Sequence, residues 1–204
     1  MSKQIITIGR QYGSGGREIG EKLARRLGVP CHDKAIIERI AREKGYCREV
    51  IDQFDESNSK SLLFSLVMNS YGSWYSNNDY KPLQASVREA QMEIIRELAK
   101  EPCVIIGRAA DSVLGRENCI SVFIHAPQEA RVQRIMKRQK CSEREATESI
   151  ANIDRERAQF YKHYSTNKWG DAASYDFTVD SAKLGVDKTV LLLDTYLKLQ
   201  DWKK

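Results

Sequence analysis

The sequence predicts an α/β fold built on a parallel sheet, and three observations support that class. Short apolar runs rich in β-branched residues alternate with amphipathic stretches along the 204-residue chain. The segments between the runs are long enough to hold the helices of right-handed crossovers. Charged residues directly follow several of the runs, as expected at the carboxyl edge of a parallel sheet, where ligands bind.

Each element is predicted from its own pattern of residues. Five apolar runs predict the strands of a five-stranded sheet flanked by helices, at residues 5–8, 29–32, 103–106, 120–124 and 177–179. Helices are predicted near residues 16–27, 33–44, 84–100, 128–140, 143–163 and 186–199. Residues 46–83 are different, because they are rich in Ser, Asn, Asp and Tyr around one apolar island at 62–68. They are predicted to form a semi-independent cap over the core.

A glycine-rich loop, residues 9–16, lies between the first predicted strand and the first predicted helix. Its small residues leave the backbone N–H groups unobstructed, and the start of the helix adds a partial positive charge. Strand, glycine loop and helix in this order are typical of a phosphate-binding loop, or P-loop. The alternative is a glycine-rich turn that binds nothing.

The loop departs from the standard pattern G-x-x-x-x-G-K-[ST]. With Gly15 as the second glycine, Arg10 stands in the first position, Gly16 in the lysine position and Arg17 in the Ser/Thr position. Because a guanidinium also binds phosphate, Arg17 is predicted to replace the lysine. Ser14 or a water molecule would then serve Mg²⁺. The predicted nucleotide-binding set is Gly13, Ser14, Gly15, Gly16, Arg17 and Glu18.

Two residues at other strand ends are candidate ligands. Asp33 follows the second predicted strand, where it could cap the next helix, bind a ligand, or do both. Arg108 follows the third strand, and an anionic substrate group is the favoured partner there. Asp180 and Ser181, after the fifth strand, are interpreted as a turn with a helix cap.

Two later helices carry charged residues on shared faces. Arg131, Arg134 and Arg138 are three and four residues apart, so they lie on one helix face. They could form a solvated surface, or the arginine-bearing edge of a lid that closes over phosphates. Asp154 and Arg157 share a face of the next helix and could bind a base and a phosphate, or form a plain ion pair.

Composition excludes several other classes of protein. The net charge of +5 is too small to indicate nucleic acid, and it suits a pocket for small polyanions equally well. The five cysteines are dispersed without metal-ligand spacing, which favours a reducing, cytoplasmic setting. No apolar run is long enough to span a membrane, and no signal peptide is recognised at the N-terminus.

The chain resembles the bacterial cytidylate kinase-like proteins, a branch of the nucleoside monophosphate kinases with a P-loop. The resemblance rests on residues 5–28, 32–41, 103–111, 153–171 and 175–185, and it spans nearly the whole chain. It implies acceptor-binding roles for Asp33, Arg88, Arg108, Asp154 and Arg157. Asp154 and Arg157 match a D-x-x-R element that binds cytosine and phosphate, and Val179-Asp180-Ser181 matches an I-D-[ST] element.

Four departures from the true cytidylate kinases stand beside these matches. Gly16 replaces the loop lysine, Ala109 replaces the aspartate of a G-R-D element, and Ile150 replaces an arginine. Residues 46–83 have no recognisable match. Cytidylate is therefore less well indicated as the acceptor than the fold and a nucleotide site are.

Together these observations predict a three-layer α/β P-loop domain that transfers phosphate from ATP, with Mg²⁺, to a small acceptor, most simply a nucleoside monophosphate. Its core would comprise 1–45, 84–138 and 169–204, with an acceptor cap at about 46–83 and a lid at about 139–168. The predicted catalytic residues are Arg17, Arg131, Arg134 and Arg138. The alternative is a nucleotide sensor with a degenerate loop. No nucleic-acid or membrane partner is predicted, and a homodimer is left open.

Overall fold

A five-stranded parallel sheet forms the centre of the protein. The computed structural model describes residues 4–33, 42, 43, 45 and 83–202. The strand order is β2-β3-β1-β4-β5, and every neighbouring pair is parallel. The strands are β1 Ile5–Arg10, β2 Cys31–His32, β3 Cys103–Ile106, β4 Cys119–His125 and β5 Phe177–Asp180. The predicted five-stranded parallel sheet is confirmed.

Helices cover both faces of this sheet. They are α1 Gly16–Leu27, α2 Leu83–Leu98, α3 Ala110–Leu114, α4 Gln128–Gln139, α5 Glu143–Lys162 and α6 Ser181–Leu199. One buried cluster joins the sheet to α1 and α6 through residues such as Leu23 and Leu193. A second joins the sheet to α2 and α3 through Ile94 and Val113. The predicted three-layer fold is therefore confirmed.

Several predicted boundaries differ from the observed ones. β1 continues two residues beyond the predicted end, because Gly9 and Arg10 still pair with β4. β2 is shorter than predicted and comprises only Cys31–His32. The last helix begins at Ser181 rather than Val186, and it bends at Gly185, whose φ of 72° is non-helical. The short helix α3 was not predicted, because five residues are too few to show a helical period.

Helices α4 and α5 pack against each other at the carboxyl edge of the sheet. Val132, Ile135, Ala146 and Ile150 form their shared buried cluster. A capping box between Ser142 and Glu145 fixes the start of α5. Because Ile150 is buried here, an arginine at this position would place its charge in an apolar cluster. This packing carries the later residues of α5 toward the ends of β1 and β3.

Two predicted segments lie outside the described residues. These are the helix between Asp33 and Lys44, apart from residues 33, 42 and 43, and the cap at 46–83, apart from residue 83. The division into core, cap and lid therefore stays a prediction. Within the described part of the chain, no helix has the length and apolar character needed to cross a membrane.

Candidate functional site

The glycine loop follows β1 and ends at the first residues of α1. Gly13 and Gly15 both have a φ of 80°, a conformation that residues with a side chain rarely adopt. Ser14 is fully buried: its hydroxyl donates to the carbonyl oxygen of Gln11 at 2.8 Å and accepts from the N–H of Gly16 at 3.3 Å. Ser14 therefore holds the loop in shape from within.

The loop is also tied to the far edge of the sheet. Ser181, the first residue of α6, is fully buried, and its hydroxyl donates to the carbonyl oxygen of Ser14. The same hydroxyl lies 3.1 Å from the carbonyl oxygen of His125, at the end of β4. Asp180 accepts from the N–H of Ala182 and caps α6, as predicted for this turn.

Arg134 is the arginine of α4 that lies directly at the glycine loop. A Cβ atom on Gly15 would collide with Nη1 of Arg134 and would lie 3.0 Å from its Cζ. The absence of a side chain at Gly15 thus lets a guanidinium rest on the loop at the N-terminus of α1. Backbone N–H groups, a helix N-terminus and a guanidinium together form a site for an anion.

Arg131 and Arg138, on the same helix as Arg134, have other partners. Arg131 is 8% exposed and forms an ion pair with Asp154 of α5. Asp154 also accepts from the N–H of Tyr12 at 2.7 Å, so the pair holds the glycine loop against α4 and α5. Arg138 donates to the hydroxyl of Tyr12 at 2.8 Å and lies over its ring. Of the three predicted lid arginines, Arg134 brings its guanidinium to Gly15, whereas Arg131 lies against Gly13 with its backbone and Cβ.

Arg17 lies on the outer side of α1. Its guanidinium forms ion pairs with Asp33 at 2.8 Å and with Glu21 at 2.9 Å. The hydrogen bond to Glu21, together with the nearby charge of Asp33, raises the pKa of Arg17. The structure therefore brings together Arg17 and Asp33, which the sequence assigned to the nucleotide and to the acceptor. Glu18, one residue on, pairs with Lys22.

A second, narrow pocket lies beside the loop, between the ends of β1 and β3 and helix α5. Arg108 and Arg157 both line it, and its volume is about 20 Å³, enough for about one water molecule. Arg108 is 2% exposed, and its guanidinium lies 5.2 Å from the centre of the Phe160 ring. Arg157 donates to the carbonyl oxygen of Arg10 at 3.1 Å. Asp154, one helical turn before Arg157, is not among the lining residues.

Asp111 supplies a buried carboxylate to this pocket. It is 8% exposed and accepts from the hydroxyl of Tyr161 at 2.6 Å. Burial raises the pKa of Asp111, and the Tyr161 hydrogen bond offsets part of that effect. The backbone around the pocket is strained as well, because Arg108 and Ala109 have φ values of 61° and 50°. Both features are typical of binding sites held in shape by their surroundings.

Aromatic side chains surround the second pocket. Phe160 stacks on Tyr164, and Arg88 of α2 lies 5.3 Å from the centre of the Tyr164 ring. Trp169 meets Phe123 edge-on. Of the predicted acceptor residues, Arg108 and Arg157 lie together, while Arg88 is one aromatic layer away. Tyr161 and Trp169 make aromatic contacts within the chain, with Tyr175 and Phe123 respectively.

Sequence reasoning missed three residues of the site. Arg10 was considered only as the residue that stands in the first glycine position of the motif, although it lines the second pocket. Tyr12 and Tyr161 were not assigned to the site, because an aromatic residue in a loop or on a helix gives no sign of its hydroxyl partner. For Arg10 a signal did exist: the residue that breaks the first position of the motif is itself a cation.

Comparisons with known proteins agree with this fold. No curated protein matches the sequence. An uncharacterised protein from Eubacterium ventriosum is 25% identical, with a TM-score of 0.71 over 95% of this chain and 98% of that one. Shikimate kinase from Bacteroides thetaiotaomicron is 18% identical, with a TM-score of 0.54 over 95% and 98% of the two chains.

A third solved structure has the same fold. The YorR protein from Bacillus subtilis, in complex with phosphorylated GDP, is 13% identical, with a TM-score of 0.50 over 97% of each chain. At these identities the last two likenesses establish the fold alone. The sequence model described as the cytidylate kinase-like family matches residues 5–183, which is most of the chain. The protein therefore belongs to the cytidylate kinase-like family, as the sequence had indicated.

Proposed function

We propose that the protein transfers the terminal phosphoryl group of ATP to a small acceptor, a nucleoside monophosphate. The observation that carries this proposal is the pair of arginine-bearing sites at one edge of the sheet. Arg134 lies on the glycine loop, and Arg108 and Arg157 line the adjacent pocket. One anion site suits a sensor, whereas two neighbouring anion sites suit a donor and an acceptor. Membership of a kinase-like family supports the same conclusion.

The loop would bind the phosphates of the donor. Its N–H groups and the N-terminus of α1 stabilise negative charge, and Arg134 adds a guanidinium that can form two parallel hydrogen bonds. Phosphoryl transfer needs little beyond positioning and the stabilisation of spreading charge. In this proposal Arg131 orients the loop through Asp154 and Tyr12 rather than touching the phosphate.

The second pocket would bind the acceptor's anionic group. Arg108 and Arg157 both line this pocket, and a guanidinium binds a phosphate or a carboxylate through charge-assisted hydrogen bonds, so the pocket favours an anionic group. A pocket of about 20 Å³ is too small for a nucleotide. Entry of the acceptor therefore requires the part of α5 that carries Phe160 and Tyr161 to move away from β3. Such a motion would be the opening of the lid that the sequence predicts at about residues 139–168.

Magnesium fits this proposal as part of the donor rather than through a dedicated protein site. The described residues contain no group of three His, Cys, Asp or Glu side chains able to hold a metal. The hydroxyl of Ser14 is committed within the loop, and Arg17 occupies the usual Ser/Thr position. Mg²⁺ often binds mainly through substrate phosphates and water. No step of the proposal requires a protein ligand to the ion.

The second candidate function is a nucleotide-binding sensor without turnover. Gly16 in place of the lysine and the closed second pocket favour it. Titration of the purified protein with ATP and with GTP, each with and without Mg²⁺, tests the donor site shared by both candidates. Turnover with ATP and a panel of nucleoside monophosphates, followed as ADP release, separates them.

Variants of α5 link any turnover to the second pocket. Arg157→Met should raise the KM for the acceptor by about tenfold or more, because a charge-assisted hydrogen bond is lost. Arg155→Met is the matched control, since Arg155 is exposed on the same helix and contacts only Asn152 among the hydrogen bonds described. Binding of ATP without turnover on any acceptor would favour the sensor, and no nucleotide binding would exclude both candidates.

A further inference from the structure

Arg10, the last residue of β1, lies in a slot formed by two glycines. A Cβ atom on Gly16 would lie 2.6 Å from Cβ of Arg10 and 3.2 Å from its Cγ. A Cβ atom on Gly107 would collide with Nη1 of Arg10 and lie 3.0 Å from its Cζ. The stem of Arg10 therefore passes Gly16, and its guanidinium rests against the backbone that follows β3. Any side chain at either glycine would displace it.

The first of these contacts bears on the missing lysine. In the standard motif the lysine stands at position 16 and extends from the start of the helix toward the phosphates. Here a side chain at position 16 would begin almost where the side chain of Arg10 begins. A side chain at position 16 and the side chain of Arg10 would therefore occupy the same volume. The loop that lacks a lysine at position 16 has the aliphatic stem of an arginine in the space that the lysine's stem would need.

The second contact places the guanidinium between the two anion sites. Gly107 immediately precedes Arg108, and Arg10 lines the same pocket as Arg108 and Arg157. The carbonyl oxygen of Arg10 accepts from Arg157, which fixes the backbone at the base of the side chain. In a phosphoryl transferase the donor phosphate nearest the acceptor is the terminal one. A cation between the loop and the acceptor pocket is thus placed for that phosphate.

Arg17 is less well placed for this role. Its side chain is 68% exposed, and it is paired with Asp33 and Glu21 on the outer side of α1. Arg17 is not among the residues that line the second pocket. Arg10, in contrast, already extends across the end of the sheet toward the second pocket.

We propose that Arg10 supplies the cation that the lysine supplies in the standard loop, and that it binds the terminal phosphate of the nucleoside triphosphate. This inference rests on the proposed binding of ATP and deepens it. Gly16 and Gly107 then contribute to the same site, because the absence of their side chains leaves room for the side chain of Arg10. The positive charge of the loop is then carried by the last residue of β1 and not by the first residue of α1.

The first experiment compares the affinities for ATP and for ADP by isothermal titration with Mg²⁺. Arg10→Met keeps an unbranched stem but removes the charge, so it should weaken ATP binding about tenfold to a hundredfold. ADP binding should change by less than about threefold, because ADP lacks the phosphate in question. Arg10→Lys should fall between, since an ammonium lacks the planar fork. Arg25→Met, on the exposed face of α1, is the control for losing an arginine.

A charge relocation provides a second test that does not depend on the behaviour of Arg10→Met. Gly16→Lys alone should lose ATP affinity, because its Cβ collides with Arg10. Arg10→Gly with Gly16→Lys restores the spacing of the standard motif and frees the volume for the lysine stem. The double variant should bind ATP more tightly than either Arg10→Gly or Gly16→Lys alone. Circular dichroism establishes that each variant is folded.

The outcomes separate this inference from the proposed function. Wild-type protein that binds neither ATP nor GTP contradicts both. Wild-type protein that binds ATP, with an unchanged preference for ATP over ADP in folded Arg10→Met, contradicts only the role of Arg10. Loss of that preference in Arg17→Met but not in Arg10→Met assigns the cation to Arg17. A folded double variant no better than Gly16→Lys contradicts the shared volume.

Discussion

Asp154 connects Arg131 to the backbone of the glycine loop. One carboxylate oxygen accepts from the N–H of Tyr12 at 2.7 Å, and the other pairs with the Arg131 guanidinium. The three residues belong to α5, the loop and α4. This single carboxylate therefore fixes the position of the loop relative to both helices, although the sequence assigned it to the acceptor.

Asp154→Ala should destabilise the protein by about 3 kcal/mol, because it leaves the buried guanidinium of Arg131 without its counter-charge. Asp154→Asn should cost less, since its side-chain oxygen can still accept from Tyr12. Urea unfolding followed by circular dichroism measures both. Asp187→Ala is the control, because its ion pair with Lys22 is exposed and should contribute little to stability. Equal losses for Asp154→Ala and Asp187→Ala would contradict this account.

Gly15→Ala should impair the donor site more than it impairs the fold. The left-handed conformation costs about 1 kcal/mol for a residue with a side chain, and the new Cβ also displaces Arg134. We expect ATP binding to weaken at least about tenfold. Gly28→Ala serves as the control, because Gly28 is left-handed at the other end of α1, with a φ of 66°. A similar effect of both variants on ATP binding would show that strain alone is responsible.

The stability of the protein should carry a pH dependence from Asp111. Burial raises the pKa of Asp111 above its ordinary value of 3.8. Its contribution to stability is therefore fully present below about pH 3.8 and is lost as the pH rises through the folded-state pKa. The free energy of unfolding of wild type, measured relative to Asp111→Asn, should decrease as the pH rises above about 4 and should level off above the folded-state pKa.

Tyr161→Phe extends the same test. Removing the hydroxyl takes away a hydrogen bond that lowers the pKa of Asp111, so the pH window should move upward. Tyr164→Phe is the matched control just beyond the end of α5, because the Tyr164 ring packs on Phe160 and no hydrogen bond joins its hydroxyl to Asp111 among those described. A pH profile that is identical in wild type and Tyr161→Phe would mean that the hydroxyl has no influence on the carboxylate.

Backbone amides in the later half of α5 should exchange more slowly when both substrates are bound. The second pocket must open to admit an acceptor, and closure over the bound acceptor protects the helix. Hydrogen exchange is measured on the free protein, with ATP, and with ATP and cytidylate together, over residues 154–162. Residues 46–83 are expected to follow the same order. Equal exchange in all three states would indicate a rigid domain and would favour the sensor.

The sheet was predictable because its strands are buried apolar runs, which need no partner to be recognised. Ile5–Ile8 and Cys103–Ile106 are examples. The ends were less predictable: Gly9 and Arg10 look like loop, yet they pair with β4 because the loop turns only after Arg10. Local sequence cannot show a strand extension that depends on a neighbour far along the chain.

The sequence indicated which residues belong to the site better than it indicated which of them contact each other. Spacing placed Arg131, Arg134 and Arg138 on one face of α4. It could not show that Arg131 forms an ion pair with Asp154 of α5. In the same way, Asp154 and Arg157 share a helix face and yet form hydrogen bonds with different residues, Tyr12 and Arg10. A separation of one helical turn is enough to reach two different partners, and only the tertiary packing decides which.

The bond between Ser181 and Ser14 has a consequence for the order of events during synthesis. The two residues are 167 positions apart, so the loop cannot gain this contact until β5 and the start of α6 have left the ribosome. A nascent chain that ends before residue 177 contains every glycine of the loop but lacks this hydroxyl. Nucleotide capture should therefore begin late in translation, after the C-terminal strand has joined the sheet.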